Sequence, residues 1–278
     1  MPASRARTVD LHIISKDMRF CTCDRFGGGR ATDVAEADKE DTVGHSTPNL
    51  GNAAGERAKM RKIDKIVILT GAGVSAESGL GTFRDEGGLW AQHRIEDVAT
   101  PEAFQRDPVL VHQFYNARRV QAADAIPNAA HDALARLQSA LGDRLLLVTQ
   151  NVDGLHEKAG APAVHMHGEL SRALCANCGH RWDAPDYMAL DTPCPSCGAQ
   201  AARPDVVWFG EMPYHMERIL EALQTCDLFA AIGTSGQVYP AAGFVEEAHL
   251  AGALTVEVNL RDSDMSHAFD TLIVGPAS

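Results

Sequence analysis

The chain has 278 residues, 45% of them hydrophobic, enough for one large domain or one large and one small. Its 25 Lys+Arg against 37 Asp+Glu leave a net charge of -12, which argues against nucleic acid as a partner and makes any anion site depend on local cations. No apolar run approaches the roughly 18 residues of a spanning helix, so no membrane partner is expected either.

Residues 1 to 60 carry basic and acidic side chains in equal number and no sustained apolar period, so they are read as a disordered N-terminal extension. They also lack the apolar core and small-residue cleavage pattern of a secretory signal. Cys21 and Cys23 form a C-x-C, a weak signal for metal or redox chemistry. Order is expected to begin at "KIVILTGAGVSAESGL" (65–80), a β-branched run, a glycine turn and a helix start. Residues 86 to 126 read as helical, without a sheet strand, and include "HQFYNARR" (112–119). A helix is expected over "PNAAHDALARLQSAL" (127–141), and another over "GFVEEAHLAGA" (243–253). Strands are expected at "RLLLVTQN" (144–151), "DLFAAIGTS" (227–235), "LTVEVNL" (254–260) and "DTLIVG" (270–275). The alternation indicates an α/β domain with a largely parallel sheet and ligands at the carboxyl ends of its strands. Residues 171 to 202 break the pattern, with paired cysteines among turn formers, and read as a small metal-stapled insertion.

Three groups of residues carry chemistry. Gly71, Gly73 and Ala76 match G-x-G-x-x-G/A after a strand, where glycine permits a tight turn and close approach to a pyrophosphate; a structural glycine turn is the competing explanation. The acidic residue that would hold a ribose after the second strand is not evident, which disfavours an ordinary dehydrogenase. Gln150, Asn151, Asp153 and His156 follow one apolar run; His165, His167 and Glu169 follow another. A lone histidine is usually structural, but two polar clusters at strand ends point to catalysis. Cys175, Cys178, Cys194 and Cys197 give C-x₂-C-x₁₅-C-x₂-C, a closed tetrahedral zinc shell without an open position for water, hence structural. With seven cysteines in all and Cys226 alone, metal binding in a reducing compartment is favoured over disulfides.

In chain order, "GAGVSAESGLGTFR", "TQNVDGLHEKAG", "HGEL", the two C-x-x-C pairs, "GTSGQVYP" and "VEVNL" together resemble the sirtuins, NAD-dependent protein deacylases, over residues 65 to 278. The resemblance implies a Rossmann-like large domain (about 61–85, 127–170 and 203–278) and a small domain (about 86–126 and 171–202) made of a helical sub-module and the zinc module. It implies NAD as cofactor. Gly71, Ala72, Gly73, Ser75, Ala76, Phe83, Arg84 and Trp90 would lie in its binding loop, with Gln150, Asn151 and Asp153 around the nicotinamide and its ribose. Gly233, Thr234 and Ser235 would face the phosphates and adenosine, Asn259 the adenine ribose and Ala277 the adenine. His167 would be the general base, with Asn151 and Asp153 also catalytic, and one Zn2+ would be structural. The implied partners are acyl-lysine proteins or peptides, bound as an added strand along "VVWFGEMP" (206–213). Val207, Trp208 and Phe209 would line the acyl-lysine tunnel, with core packing as the competing explanation. Nicotinamide, free lysine and 2′-O-acyl-ADP-ribose would be the products.

Within that family a tyrosine and an arginine three residues apart mark the class that accepts succinyl and malonyl chains, and Tyr115 and Arg118 match the pair. On a helix the two share a face, the arginine offering parallel donors to a carboxylate and the tyrosine a third. An ordinary solvated face is the alternative, and Arg119 keeps that reading. A cytoplasmic monomer is expected. Competing functions are a protein mono-ADP-ribosyltransferase and a catalytically idle NAD-sensing scaffold. The chain departs from the family pattern at Gly81, where arginine or proline is common, and in stopping at "GPAS" where relatives continue into a closing helix.

Overall fold

The computed structural model describes residues 62–81 and 93–277; residues 1–61 with Cys21 and Cys23, and Phe83, Arg84 and Trp90, which the resemblance assigns to the NAD loop, lie outside them. The first strand, β1 (Ile66–Thr70), is buried along its whole length, and its alternating side chains face two separate cores. Ile66 and Ile68 pack with Leu134 and Leu137 of helix α5 (Ala129–Leu141). Val67 and Leu69 pack with Ile219 and Leu223 of α7 (Met216–Leu223) and with Phe244, Val245 and Ala248 of α8 (Phe244–Leu250). A strand sandwiched this way has no polar face, which is why it reads as an unbroken β-branched run.

Five further strands complete this sheet: β2 (Leu145–Thr149), β3 (Val164–His165), β7 (Leu228–Ile232), β8 (Leu254–Asn259) and β9 (Thr271–Val274). All pair in parallel, in the order β3-β2-β1-β7-β8-β9. The chain builds outward from β1 on one side, then returns to build outward from β7 on the other. That reversal makes the gap between the carboxyl ends of β1 and β7 the place where loops diverge and a ligand can enter. The expected Rossmann-like, mostly parallel sheet is thus borne out. The expected helix after the glycine turn is short: α1 (Ala72–Ser75) passes into a single 3₁₀ turn ended by Gly79 at φ 84.

The small domain is assembled from two stretches of chain. Helices α2 (Ile95–Val98), α3 (Pro101–Arg106) and α4 (Pro108–Asp124) form the first. Thr100 and Asp107 cap α3 and α4, each followed by proline at the first helical position, which separates two helices that would otherwise merge. The second stretch is an antiparallel sheet, β5-β4-β6, from β4 (Gly168–Cys175), β5 (Arg181–Asp183) and β6 (Ala202–Val206). It reaches past residues 171 and 202 on both sides. Val98, Ala103, Val111, Phe114 and Tyr115 of the helices share a core with Leu170 of β4, Val206 of β6 and Trp208, joining the two stretches. No described helix is long and apolar enough to cross a membrane.

Candidate active site

Two loops meet at the switch point between β1 and β7. Gly71 N–H donates to Ile232 O (3.1 Å) and Gly73 N–H to Gly233 O (2.9 Å). A Cβ on Gly71 would stand 2.7 Å from Gly233 O, and one on Gly73 2.8 Å from Gly233 Cα. Gly233 itself has φ +64, and its Cβ would lie 2.6 Å from Val74 N. The glycines that the motif assigns to a pyrophosphate therefore also let two backbones touch each other. Gly233→Ala is expected to lower unfolding stability by about 2–4 kcal/mol in urea titrations, from left-handed strain plus overpacking; a change below about 0.5 kcal/mol would show that the loops part freely.

At the end of β2 the polar residues form one connected set. Thr70 and Thr149 stand opposite each other in register, with their hydroxyls 2.9 Å apart. Thr149 Oγ1 accepts from Asn151 N–H (3.0 Å), and the Asn151 amide donates to Gly71 O and to Ser75 Oγ, both at 3.1 Å. Ser75 donates in turn to Asp153 Oδ2 (3.0 Å), while Asp153 Oδ1 accepts from Leu155 N–H (3.0 Å). Ser75, Asn151 and Asp153 are all buried, so this carboxylate is stabilised by fixed donors instead of solvent. His156, in helix α6 (Leu155–Lys158), sits 2.9 Å from Thr70 Oγ1. Burial, then the neighbouring His131, holds its pKa down to about 4, so it is a neutral support beneath the site.

Two histidines of "VHMHG" clasp successive carbonyls of this loop. His167 Nδ1 lies 3.1 Å from Gln150 O, and His165 Nδ1 3.0 Å from Asn151 O. A carbonyl only accepts, so Nδ1 carries the proton in both rings. In His167 that leaves Nε2 with its lone pair. Burial lowers the His167 pKa and outweighs the bond to Gln150, so the ring is a neutral base at neutral pH.

Tyr115 of α4 shares a core with Val152 of the same loop. Tyr115 is 1% exposed, and its hydroxyl accepts from Trp208 Nε1 (3.0 Å). Burial is the main cause that raises its pKa to about 12, so the phenol keeps its proton. Burial lowers the pKa of Arg118, against the opposing fields of Tyr115 and Asp153, and its guanidinium carbon lies 5.8 Å from the Phe114 ring centroid. Arg119 is not a solvated residue: its Nε donates to Leu170 O (2.8 Å) and its Nη1 to Asn116 Oδ1 (2.7 Å), clipping α4 to β4. Trp208 lies in the helical core under the Arg203 guanidinium, 3.5 Å from the ring centroid, so packing accounts for its burial. Arg203 pairs with both Glu211 oxygens (2.7 and 2.9 Å), and Glu211 also accepts from Trp208 N–H. Residues 207–213 form no strand; Val207 N–H donates to His167 O and Phe209 N–H to Ala99 O. Val207 is half-buried and Phe209 exposed.

Past β7 and β8, Thr234 O accepts from Asn259 Nδ2 (2.6 Å), and Ser235 O accepts from Asp264 N–H (3.2 Å). Gly233, Thr234 and Ser235 follow β7 and Asn259 ends β8, at the same sheet end as Asn151 after β2 and as Ala72 and Ala76 after β1. Ala277 packs, partly buried, on the core cluster that holds Val74. The four cysteine sulfurs lie within 4.8 Å of one another, with Cys175–Cys197 and Cys178–Cys194 both at 3.8 Å. Tetrahedral thiolates about 2.3 Å from a zinc ion are about 3.8 Å apart, so the donor set fits Zn2+. Each pair is closed by a left-handed glycine, Gly179 and Gly198, whose N–H groups donate to Cys175 O and Cys194 O. The glycine directly after each C-x-x-C was a readable signal that the spacing argument did not use.

Residues 71–240 match the model of the Sir2 family. An NAD-dependent protein deacylase of Bdellovibrio bacteriovorus is 56% identical over 223 residues, covering 79% of this chain and 94% of the relative. One of Caulobacter vibrioides is 54% identical over 224 residues, with the same coverages. Among solved structures, a Sir2 homologue in complex with NAD is 38% identical at a TM-score of 0.71, covering 78% of this chain and 86% of that one. A Sir2 variant with a deacetylated p53 peptide and 3′-O-acetyl-ADP-ribose is 25% identical at a TM-score of 0.66. Motifs, sheet order, cysteine cluster and these similarities agree, and the chain belongs to the Sir2, or sirtuin, family.

Proposed function

We propose that this Sir2 protein is an NAD-dependent protein-lysine deacylase that removes succinyl and malonyl groups as well as acetyl. The observation that carries the acidic preference is the state of Tyr115. Its hydroxyl oxygen accepts from Trp208, and no acceptor for its own proton is found among the described residues. A neutral buried phenol with a donor still available, one helical turn from a guanidinium, suits a carboxylate at the end of an acyl chain. Val207 and Phe209 would flank the lysine stem, and peptide backbone would pair beside residues 206–213.

NAD, when bound, supplies an ADP-ribosyl group whose leaving group is nicotinamide. The residues past β1, β7 and β8 are assigned to its phosphates and adenosine, and Gln150, Asn151 and Asp153 to the nicotinamide ribose. The linked amide, hydroxyl and carboxylate of Asn151, Ser75 and Asp153 hold their positions before the ligand arrives, which reduces reorganisation during reaction. His167 Nε2 takes the proton of a ribose hydroxyl, its own ring held in one tautomer by Gln150 O. Cys175, Cys178, Cys194 and Cys197 would hold one structural Zn2+.

Arg118→Met tests the acyl preference. kcat/KM for a succinyl-lysine peptide is expected to fall about 10–100-fold, the worth of a charge-assisted pair, while the acetyl-lysine value stays within about threefold. Unchanged desuccinylation would sink the assignment. Mass analysis of the products separates the rival activities: O-acyl-ADP-ribose means deacylation, modified protein means ADP-ribosyl transfer, and neither means an idle scaffold.

A further inference from the structure

The proposed chemistry makes no use of His165, yet this residue has the more constrained environment of the two "VHMHG" histidines. It is 7% exposed at the end of β3, a two-residue strand held only against β2. Its Nδ1–H donates to Asn151 O at 3.0 Å, and on the opposite edge Nε2 lies 3.2 Å from Glu157 Oε1. Glu157 is itself fixed, because the same oxygen accepts from Ala163 N–H at 2.9 Å. The ring therefore spans from α6 to the loop after β2.

The target of that span matters. Asn151 makes its other contacts through its N–H, to Thr149, and its side-chain amide, to Gly71 and Ser75. Among the described residues, His165 is the sole partner of its carbonyl. Without that bond the 151–152 peptide is free to rotate, which changes the path of the chain between Asn151 and Asp153 and loosens both against the glycine loop. The charged groups facing the ring are Glu157 on α6 and Glu169 on β4, with the His156 imidazole on α6. Burial alone would lower the pKa of His165, but the Glu157 carboxylate 3.2 Å from Nε2, aided by Glu169, outweighs it and leaves the ring above its ordinary value.

We propose that His165 is a positioning residue: anchored by Glu157, it grips the Asn151 carbonyl and thereby sets the orientation of Asn151 and Asp153 toward NAD. The proposal rests on the assignment of Asn151 to the nicotinamide ribose, and its test does not require turnover. In His165→Asn the side-chain amide nitrogen replaces Nδ1 and can still donate to Asn151 O. In His165→Gln the amide reaches toward Glu157 and leaves that carbonyl without its donor.

The dissociation constant of NAD, measured by calorimetry on the full chain, is expected to rise about tenfold in His165→Gln, with His165→Asn recovering most of the loss. kcat on an acyl-lysine peptide should follow the same split, falling up to about a hundredfold in His165→Gln, while the peptide KM stays within about twofold. Thermal midpoints of both variants, read alongside, separate positioning from folding. Equal losses in both variants, or unchanged NAD affinity in His165→Gln, would overturn the proposal. If NAD affinity splits as expected and the wild type shows no deacylation, the deacylase assignment fails and the positioning role stands.

Discussion

Replacing His167 with tyrosine is expected to reduce deacylation by about 10²–10⁴-fold, the range for a lost general base, without changing zinc content or the circular dichroism spectrum. The expectation follows from two contacts. Nδ1–H is committed to Gln150 O, so Nε2 is the free basic atom; Val207 N–H holds the backbone carbonyl of the same residue. Tyrosine has no nitrogen to replace Nε2, and its phenol near pH 7 holds its proton. The pH profile gives a second reading of the same group. A base works unprotonated, and burial lowers the folded pKa of His167 below 6.5, so activity should persist as pH falls past 6.5 and be lost only through the lowered value. An acid limb at or above 6.5, or a tyrosine variant within about threefold of wild type, would remove His167 from the role.

The parts of this molecule that were legible in the sequence are those whose environment is uniform. "IVILT", "LLLVT" and "LFAAI" are buried on both faces, so their burial is written as unbroken apolar runs. The cysteine cluster was legible because zinc imposes a spacing. β6 is equally buried but reads "ARPDV", and nothing local marks it as a strand. Arg203 pairs with Glu211, and Asp205 with Arg181 and Tyr214, partners found only once the chain has folded. β3 is too short for any periodicity to register.

The site shows the same division. Helical spacing put Tyr115 and Arg118 on one face, but it does not say what that face meets. The answer, Trp208, lies 93 positions away and turns a supposed tunnel residue into the partner that fixes the tyrosine oxygen. Likewise the glycine fingerprint assigned Gly71 and Gly73 to the close approach of a pyrophosphate, and the contact the structure shows is with another backbone. That the nearest backbone is Gly233 depends on the sheet order, which puts β7 beside β1. Arg119 failed for the converse reason: a charge on a helix defaults to solvent, and the Leu170 carbonyl that holds it belongs to a distant strand.

Cys194→Ser is expected to eliminate the metal and unfold the β4–β6 sheet while the six-stranded sheet persists. Where it meets the helices the small sheet is held by Leu170 and Val206, but its cysteine end has little else to hold it. Its own core consists of Ala173, Met188 and Ala202, with Trp182 and Ala184 partly buried against it. At about 1.5–3 kcal/mol for a large buried side chain, and far less for alanine, this core stabilises the sheet only weakly. Structural zinc contributes about 10–16 kcal/mol of apparent binding free energy near pH 7, more than these few side chains supply. Elemental analysis should find one zinc per wild-type chain and none in the variant, and hydrogen exchange should lose protection over 168–206 but not in β1, β2 or β7. Activity should fall as well, although zinc has no chemical part. β4 has eight residues, so at about 3.3 Å per residue the cysteine end lies about 23 Å from Gly168, beyond contact with any reacting atom. What connects them is the strand itself: Gly168 follows His167 and pairs with Val206, and Val207 N–H closes on His167 O. Melting this sheet releases the base from its frame. A zinc-free variant that kept both its protection over 168–206 and its turnover would show that packing alone maintains the small domain.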